Sequence, residues 1–189
     1  MAKDKIVFID RDGVINKDPG GWTPHSYVTK WGQFRFLPGA RRAIKELTEA
    51  GYDIIVISNQ AGISKGFYSV KDLNGITRKM LGKIAEGGGR IKRVYYCTHQ
   101  TSDGCACRKP KPGLLRKAGR DLGVGIAGRY FIGDGLVDIE AGKRARLRTI
   151  LLLSGKTDRK DVKRWDVKPD FIFKDLPEAV DFILKRGGR

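Results

Sequence analysis

Six short, almost unbroken apolar runs recur along this chain, separated by stretches with helical periodicity. The runs are Ile6-Val7-Phe8-Ile9, Asp53-Ile54-Ile55-Val56-Ile57-Ser58, Arg93-Val94-Tyr95-Tyr96, Arg129-Tyr130-Phe131-Ile132-Gly133, residues 149–153 and Phe171-Ile172-Phe173. Most of them lack a polar alternate, so they read as strands covered on both faces. Between them, Ala40, Ala43, Ile44 and Leu47 fall on one helical face that ends at Gly51. A second helix is expected over residues 70–85, closed by Gly87-Gly88-Gly89. A third carries Leu114, Leu115, Ala118 and Leu122, with Pro112 expected in its first turn. Shorter helices are expected at residues 139–145 and 177–184.

Strands alternating with helices at this spacing make βαβ units, hence an α/β fold with a mostly parallel central sheet and helices on both faces. At 189 residues the chain is expected to form one domain, residues 1–189. Right-handed crossovers gather the strand ends on one edge, so loops beginning at Asp10, Ser58, Cys97 and Asp134 should converge there. Residues 17–36 form a loop too long for a plain connection, and such loops are commonly functional. Residues 154–168 read as a polar linker.

No apolar segment approaches the ~20 residues of a membrane span. The first strand begins so early that no signal peptide is expected, which points to the cytoplasm. The net charge of +17 raises the question of nucleic acid, but the basic residues are spread through both halves and form no tail. The favoured reading is a solvated basic surface whose field steers small anionic substrates. A nucleic-acid end-processing phosphatase or basic binding module on the same fold is the alternative of another class. It would need a basic groove and aromatic residues such as Trp22 and Trp31 placed for stacking.

The first strand ends in Asp10-Arg11-Asp12-Gly13. Residues two apart on a strand share a face, so both acids can point into one pocket. Two close carboxylates repel unless a cation or proton intervenes, and Mg²⁺ suits a pair of hard oxygen donors that must also meet a phosphate. One carboxylate can then attack phosphorus while the other moves protons. Asp-Gly is equally a common turn pair, and the residues by themselves leave that alternative open. Asp134 ends another strand and would complete a metal site, with Asp138 joining through water or a hydrogen bond; Asp138 also fits an acid at a helix start. Ser58, Asn59 and Gln60 offer neutral donors for a phosphoryl oxygen, or a turn. Lys109 can offset phosphate charge and Arg108 can clamp an acidic group, or both can belong to a solvated loop.

Taken in order, Asp10-Arg11-Asp12-Gly13, Ser58, Lys109 and Gly133-Asp134 resemble the four motifs of haloacid dehalogenase (HAD) superfamily phosphatases. The resemblance implies a Rossmann-like HAD fold with no large cap domain. It makes Asp10 the nucleophile, Asp12 the general acid/base, Ser58 a phosphoryl-binding residue and Lys109 the neutralising cation. The implied Mg²⁺ ligands are Asp10, the Asp12 main-chain carbonyl and Asp134.

Cys97, His99, Cys105 and Cys107 have the composition of a closed tetrahedral Zn²⁺ site, which is structural rather than hydrolytic. The adjacency of Cys107 to Arg108 and Lys109 suggests that zinc holds these cations in place. Cys-x-His…Cys-x-Cys-Arg-Lys-Pro resembles the zinc-loop subgroup of HAD phosphatases, whose substrates include D-glycero-D-manno-heptose 1,7-bisphosphate and histidinol phosphate. The stretches Phe36-Leu37-Pro38-Gly39 and Ser58-Asn59-Gln60-Ala61-Gly62-Ile63-Ser64-Lys65-Gly66 resemble the heptose branch. The five-residue gap from His99 to Cys105 is like the histidinol-phosphate branch, and Gly135 stands where heptose enzymes often carry lysine. The implied reaction is hydrolysis of the heptose 7-phosphate, with histidinol phosphate as the alternative substrate. The expected partner is a small phosphorylated metabolite, a sugar bisphosphate in preference. Neither membrane nor nucleic acid is expected, and the chain is expected to be a monomer.

Overall fold

The computed structural model describes residues 5–20 and 23–187. Its centre is a six-stranded sheet, β1 (Ile6–Ile9), β2 (Asp53–Asn59), β3 (Ile91–Cys97), β4 (Tyr130–Gly133), β5 (Arg148–Leu152) and β6 (Phe171–Phe173). The spatial order is β3-β2-β1-β4-β5-β6, and every neighbouring pair is parallel. The connecting helices are α1 (Ala40–Glu49), α2 (Val70–Ala85), α3 (Gly113–Leu122), α4 (Leu136–Arg144), α5 (Arg159–Lys163) and α6 (Leu176–Gly187).

The strands are apolar on both faces because each face is covered. Val7, Ile9, Ile54, Val56 and Ile150 pack against α1, α2 and α6 through Ile44, Leu47, Met80 and Val180. The alternate residues Phe8, Ile55, Ile57 and Phe131 pack against α3 and α4 through Leu115, Ala118 and Ala141. β1 sits between β2 and β4, where the order of connection reverses. Such a switch point leaves a crevice beyond the strand ends. Register fixes what lines it: Ile9 pairs with both Val56 and Ile132, so Asp10, Ser58 and Asp134 emerge at nearly one level.

Three local expectations need correction. Pro112 precedes α3 as its N-cap rather than occupying the first turn. Helix α4 begins at Leu136, three residues before the expected start, because the Asp138 side chain accepts from the Gly135 N–H and closes that end. The expected linker 154–168 contains α5, which buries only Val162, beside Ile139 and Leu151. A five-residue helix with one buried side chain leaves no periodic signal; the Asp161 side chain, accepting from the Asp158 N–H at Oδ2 (2.9 Å), closes its start. In the long loop, Trp31 stacks on Phe34 at 5.0 Å and packs against the core. Its ring thus helps fill the loop's own small core; Trp22 lies outside the described residues. No described helix is long and apolar enough to cross a membrane.

Candidate active site

A cavity of about 840 Å³ opens at the strand ends. Its floor is acidic, with Asp10, Asp12, Asp134 and Asp138; Lys65, Arg108, Lys111, Arg144 and Lys156 are on its walls. Three loops reach it: residues 17–36 through Asp18, His25 and Tyr27, residues 62–67 through Lys65, and residues 97–107 through Gly104 and Cys105.

Asp10 is buried where β1 ends. Its Oδ1 accepts from the Arg11 main-chain N–H (2.7 Å), and its Oδ2 lies 2.9 Å from Lys109 Nζ. Burial raises the Asp10 pKa; Lys109 opposes the shift and Asp138 and Asp12 reinforce it, leaving it at about 6. Asp134 is pushed further, to about 8, by burial and by the field of Asp138. Carboxylate oxygens of Asp10, Asp134 and Asp138 all lie within 4.8 Å of one another. Such a group of buried acids fits a hard divalent cation, and an all-oxygen donor set suits Mg²⁺. The backbone leaves room around Asp134 by glycine. At Gly13 (φ +77°) a Cβ would stand 2.3 Å from Asp134 Oδ2, and at Gly155 only 2.1 Å.

The Asp12 carboxylate does not join that group. It accepts from Arg11 Nη2 (3.0 and 3.1 Å), Asn16 Nδ2 (2.8 Å) and Gln60 Nε2 (2.8 Å). Arg11 is the largest fully buried side chain among the described residues and also donates to Gln60 Oε1 at 3.0 Å. Among the described residues no donor reaches the Asp12 main-chain oxygen, which is left for another partner.

Ser58 lines the cavity, and its Oγ accepts from Gln60 Nε2 at 3.0 Å. Gln60 itself departs from expectation. Its Oε1 accepts from Arg11 and Tyr68, its Nε2 donates to Asp12 and Ser58, and it is fully buried behind the cavity wall. With its amide so committed it organises Arg11, Asp12 and Ser58 and has nothing to offer a substrate. Asn59 lines the cavity and clamps Lys109: Asn59 Nδ2 donates to the Lys109 carbonyl and Asn59 Oδ1 accepts its N–H, both at 3.1 Å. Lys109 Nζ meets Asp10, Asp138 Oδ1 (2.5 Å) and the Ile57 carbonyl (3.0 Å). Arg108 lines the cavity and donates from Nη1 to the His99 carbonyl at 3.2 Å.

Cys97, at the end of β3, comes together with His99, Cys105 and Cys107. The sulfurs are 3.0 to 3.6 Å apart, and His99 Nδ1 is 3.3 Å from Cys107 Sγ. These edges lie slightly inside the ~3.8 Å edge of a tetrahedron with Zn–S bonds of ~2.3 Å. Burial pushes the Cys97 thiol up, whereas at Cys105 hydrogen bonds from Cys107 and the Arg108 main chain outweigh burial and bring it down to about 7. Thiols so crowded and unequal fit a thiolate-binding cation, and three sulfurs with one imidazole fit Zn²⁺.

The residues after β5, read as linker, fold back over Asp134: Thr157 Oγ1 donates to its carbonyl (2.5 Å) and the Lys156 N–H to its Oδ2 (3.1 Å). Ser154 Oγ donates to the Gly13 carbonyl at 3.0 Å. The available signal was topological, since a loop following a parallel strand must emerge on the same edge as the others.

Comparison with known proteins agrees with this geometry. Residues 106–179 match the HAD-hydrolase-like family model. The chain is 36% identical over 180 residues to a D-glycero-beta-D-manno-heptose-1,7-bisphosphate 7-phosphatase of Pseudomonas aeruginosa, covering 95% of this chain and 98% of that protein. It is 33% identical over 184 residues to the enzyme of the same name from Helicobacter pylori, covering 97% and 99%. The crystal structure of the D,D-heptose 1,7-bisphosphate phosphatase of B. bronchiseptica, complexed with magnesium and phosphate, superimposes with a TM-score of 0.89 at 32% identity, over 96% of this chain and 99% of that one. With this identity over nearly the whole length and the same sheet, the chain belongs to the HAD-like phosphatase family that includes the heptose 1,7-bisphosphate 7-phosphatases.

Proposed function

We propose that this phosphatase removes the 7-phosphate of D-glycero-D-manno-heptose 1,7-bisphosphate. The observation that carries the reading is the cavity's division into a buried acidic floor and a basic wall of Lys65, Arg108, Lys111 and Arg144. One phosphate of a bisphosphate meets the floor with Mg²⁺, and the other meets the wall. The names of the relatives support the same substrate.

In this reading Mg²⁺ is held by Asp10, Asp134 and the Asp12 main-chain oxygen, and when bound it offsets the charge that brings phosphate and carboxylate together. Asp10 Oδ attacks phosphorus as the bond to the sugar oxygen breaks, and the departing oxygen takes a proton from Asp12. Asp12 then removes a proton from the water that clears the aspartyl-phosphate and restores Asp10. Ser58 Oγ binds a phosphoryl oxygen, and Lys109 keeps Asp10 ionised. Asn59 holds Lys109, and the zinc loop of residues 97–107 holds Arg108 and Lys109 in reach. Residues 1–189 act as one catalytic domain, every proposed site residue comes from one chain so that a monomer suffices, and the cytoplasm is the proposed compartment.

A substrate panel tests this. The kcat/KM for the heptose bisphosphate should exceed that for histidinol phosphate by at least about 100-fold, on the scale of a second charged anchor. A preference for histidinol phosphate would replace the substrate and would agree with the short His99–Cys105 gap. Steeply salt-dependent nucleic-acid binding would favour the end-processing alternative.

A further inference from the structure

Lys109 is the cation expected to meet the phosphoryl group, but its ammonium is already surrounded by three protein oxygens within 3.0 Å, as many as it has N–H groups. A phosphoryl group carries three outer oxygens; Ser58 Oγ and Mg²⁺ account for two in the reading above, and with the Lys109 ammonium committed to Asp10 and Asp138 the third still needs a donor. Lys156 is differently placed. Its side chain lines the cavity, and among the described residues its ammonium has no hydrogen-bond or ion-pair partner. The loop that carries it is nevertheless fixed, by Ser154 to the Gly13 carbonyl and by Thr157 and the Lys156 N–H to Asp134.

The place that Lys156 occupies depends on Gly135. A Cβ at that position would stand 3.0 Å from Lys156 Cε and 3.5 Å from Nζ. The residue following Asp134 thus contributes no side chain, and the space is taken by a lysine from the next strand's loop.

We propose that Lys156 is a substrate-contacting residue, whose ammonium binds outer oxygens of the phosphoryl group from the Asp134 side of the cavity. The proposal rests on the phosphatase reading above. A lysine that merely neutralises Asp134 would behave differently, because it would compete with Mg²⁺ and contribute nothing to phosphate.

The test compares Lys156→Met and Lys156→Arg with the wild-type enzyme, zinc intact, both at saturating Mg²⁺ and across a Mg²⁺ titration. It reads the inhibition constant of inorganic phosphate, KM and kcat for one phosphomonoester, and the half-saturating Mg²⁺ concentration. Lys156→Met should weaken phosphate inhibition and raise KM by about tenfold, the scale of one charge-assisted hydrogen bond. Its Mg²⁺ requirement should stay the same or fall, since a cation next to Asp134 has been removed, and Lys156→Arg should recover most of the phosphate affinity. Unchanged phosphate inhibition in Lys156→Met would overturn the proposal. So would a parallel weakening of Mg²⁺ and phosphate, the mark of a displaced Asp134. A wild-type protein that neither binds phosphate nor hydrolyses any phosphomonoester would instead overturn the phosphatase reading, and this proposal with it.

Discussion

Replacing Lys109 by methionine removes an ammonium that touches both Asp10 and Asp138, and the structure gives the size of the consequence. Lys109 is 3% exposed, and its Nζ lies 2.9 Å from Asp10 Oδ2 and 2.5 Å from Asp138 Oδ1. Removing one partner of a buried ion pair costs ~3–5 kcal/mol, because the other charge is left without compensation. The acids have an escape, which is to take up protons, and this makes the cost depend on pH. The Asp10 pKa already lies at about 6 in the folded protein, above its ordinary 3.8, with Lys109 holding it down. Loss of Lys109 raises it further. An acid raised on folding stabilises the fold below its ordinary pKa and loses that contribution as pH rises through the folded value. The variant should therefore be destabilised by ~3–4 kcal/mol at pH 8 in Mg²⁺-free buffer with zinc retained, and by only ~1 kcal/mol at pH 5. At ~2–4 °C per kcal/mol for a chain of this size, Tm at pH 8 falls by about 10 °C. Saturating Mg²⁺ should return part of the loss, ~2.7 kcal/mol at one hundred times its Kd, without restoring turnover. Urea unfolding at the two pH values, with and without Mg²⁺, is the assay. A destabilisation under ~1 kcal/mol at pH 8, or the same value at both pH values, would refute the reasoning.

Three other outcomes follow from the same geometry. Mg²⁺ affinity should rise from pH 5 to pH 8, because Asp10 and Asp134 with pKa values of about 6 and about 8 must release protons to bind it; calorimetry in two buffers of different ionisation enthalpy reads the release, and its absence would count against these acids as ligands. Gly155→Ala places a Cβ 2.1 Å from Asp134 Oδ2 and should weaken Mg²⁺ binding by about tenfold or more while the far-ultraviolet spectrum stays native; unchanged Mg²⁺ dependence would mean that Asp134 is not a ligand. Metal analysis should find about one zinc per chain, and its selective removal with Mg²⁺ resupplied should lower both Tm and turnover; a zinc-free protein of full stability and activity would remove the zinc loop from the account.

The sheet was legible in the sequence because its strands are buried on both faces, and burial writes itself as unbroken Ile, Val, Leu and Phe. The acids of the site were legible for a related reason: Asp10 and Asp134 each interrupt such a run where it ends. What stayed hidden was pairing. Gln60 reads from sequence as a donor for substrate, and only the positions of Arg11, Asp12, Ser58 and Tyr68 show that its amide is already committed. Arg11 reads as part of a motif, yet it is a fully buried cation that orients Asp12. Lys156 lies in a polar stretch whose composition is that of any surface loop, and its nearness to Asp134 arises from β4 and β5 being neighbours. Helix α5 leaves no trace in the sequence pattern because one buried side chain, Val162, makes no period.

In the proposed reaction Asp10 is the attacking group. The turnover number of Asp10→Asn, measured at saturating Mg²⁺ with zinc content and Tm checked against the wild type, tests it most directly. The amide keeps the shape of the side chain and removes the nucleophilic charge, so turnover should fall by about 10⁴-fold or more while the protein stays folded. Turnover within about tenfold of the wild type would mean that the bond to phosphorus is made by another group, and Asp10 would be left as a metal ligand alone.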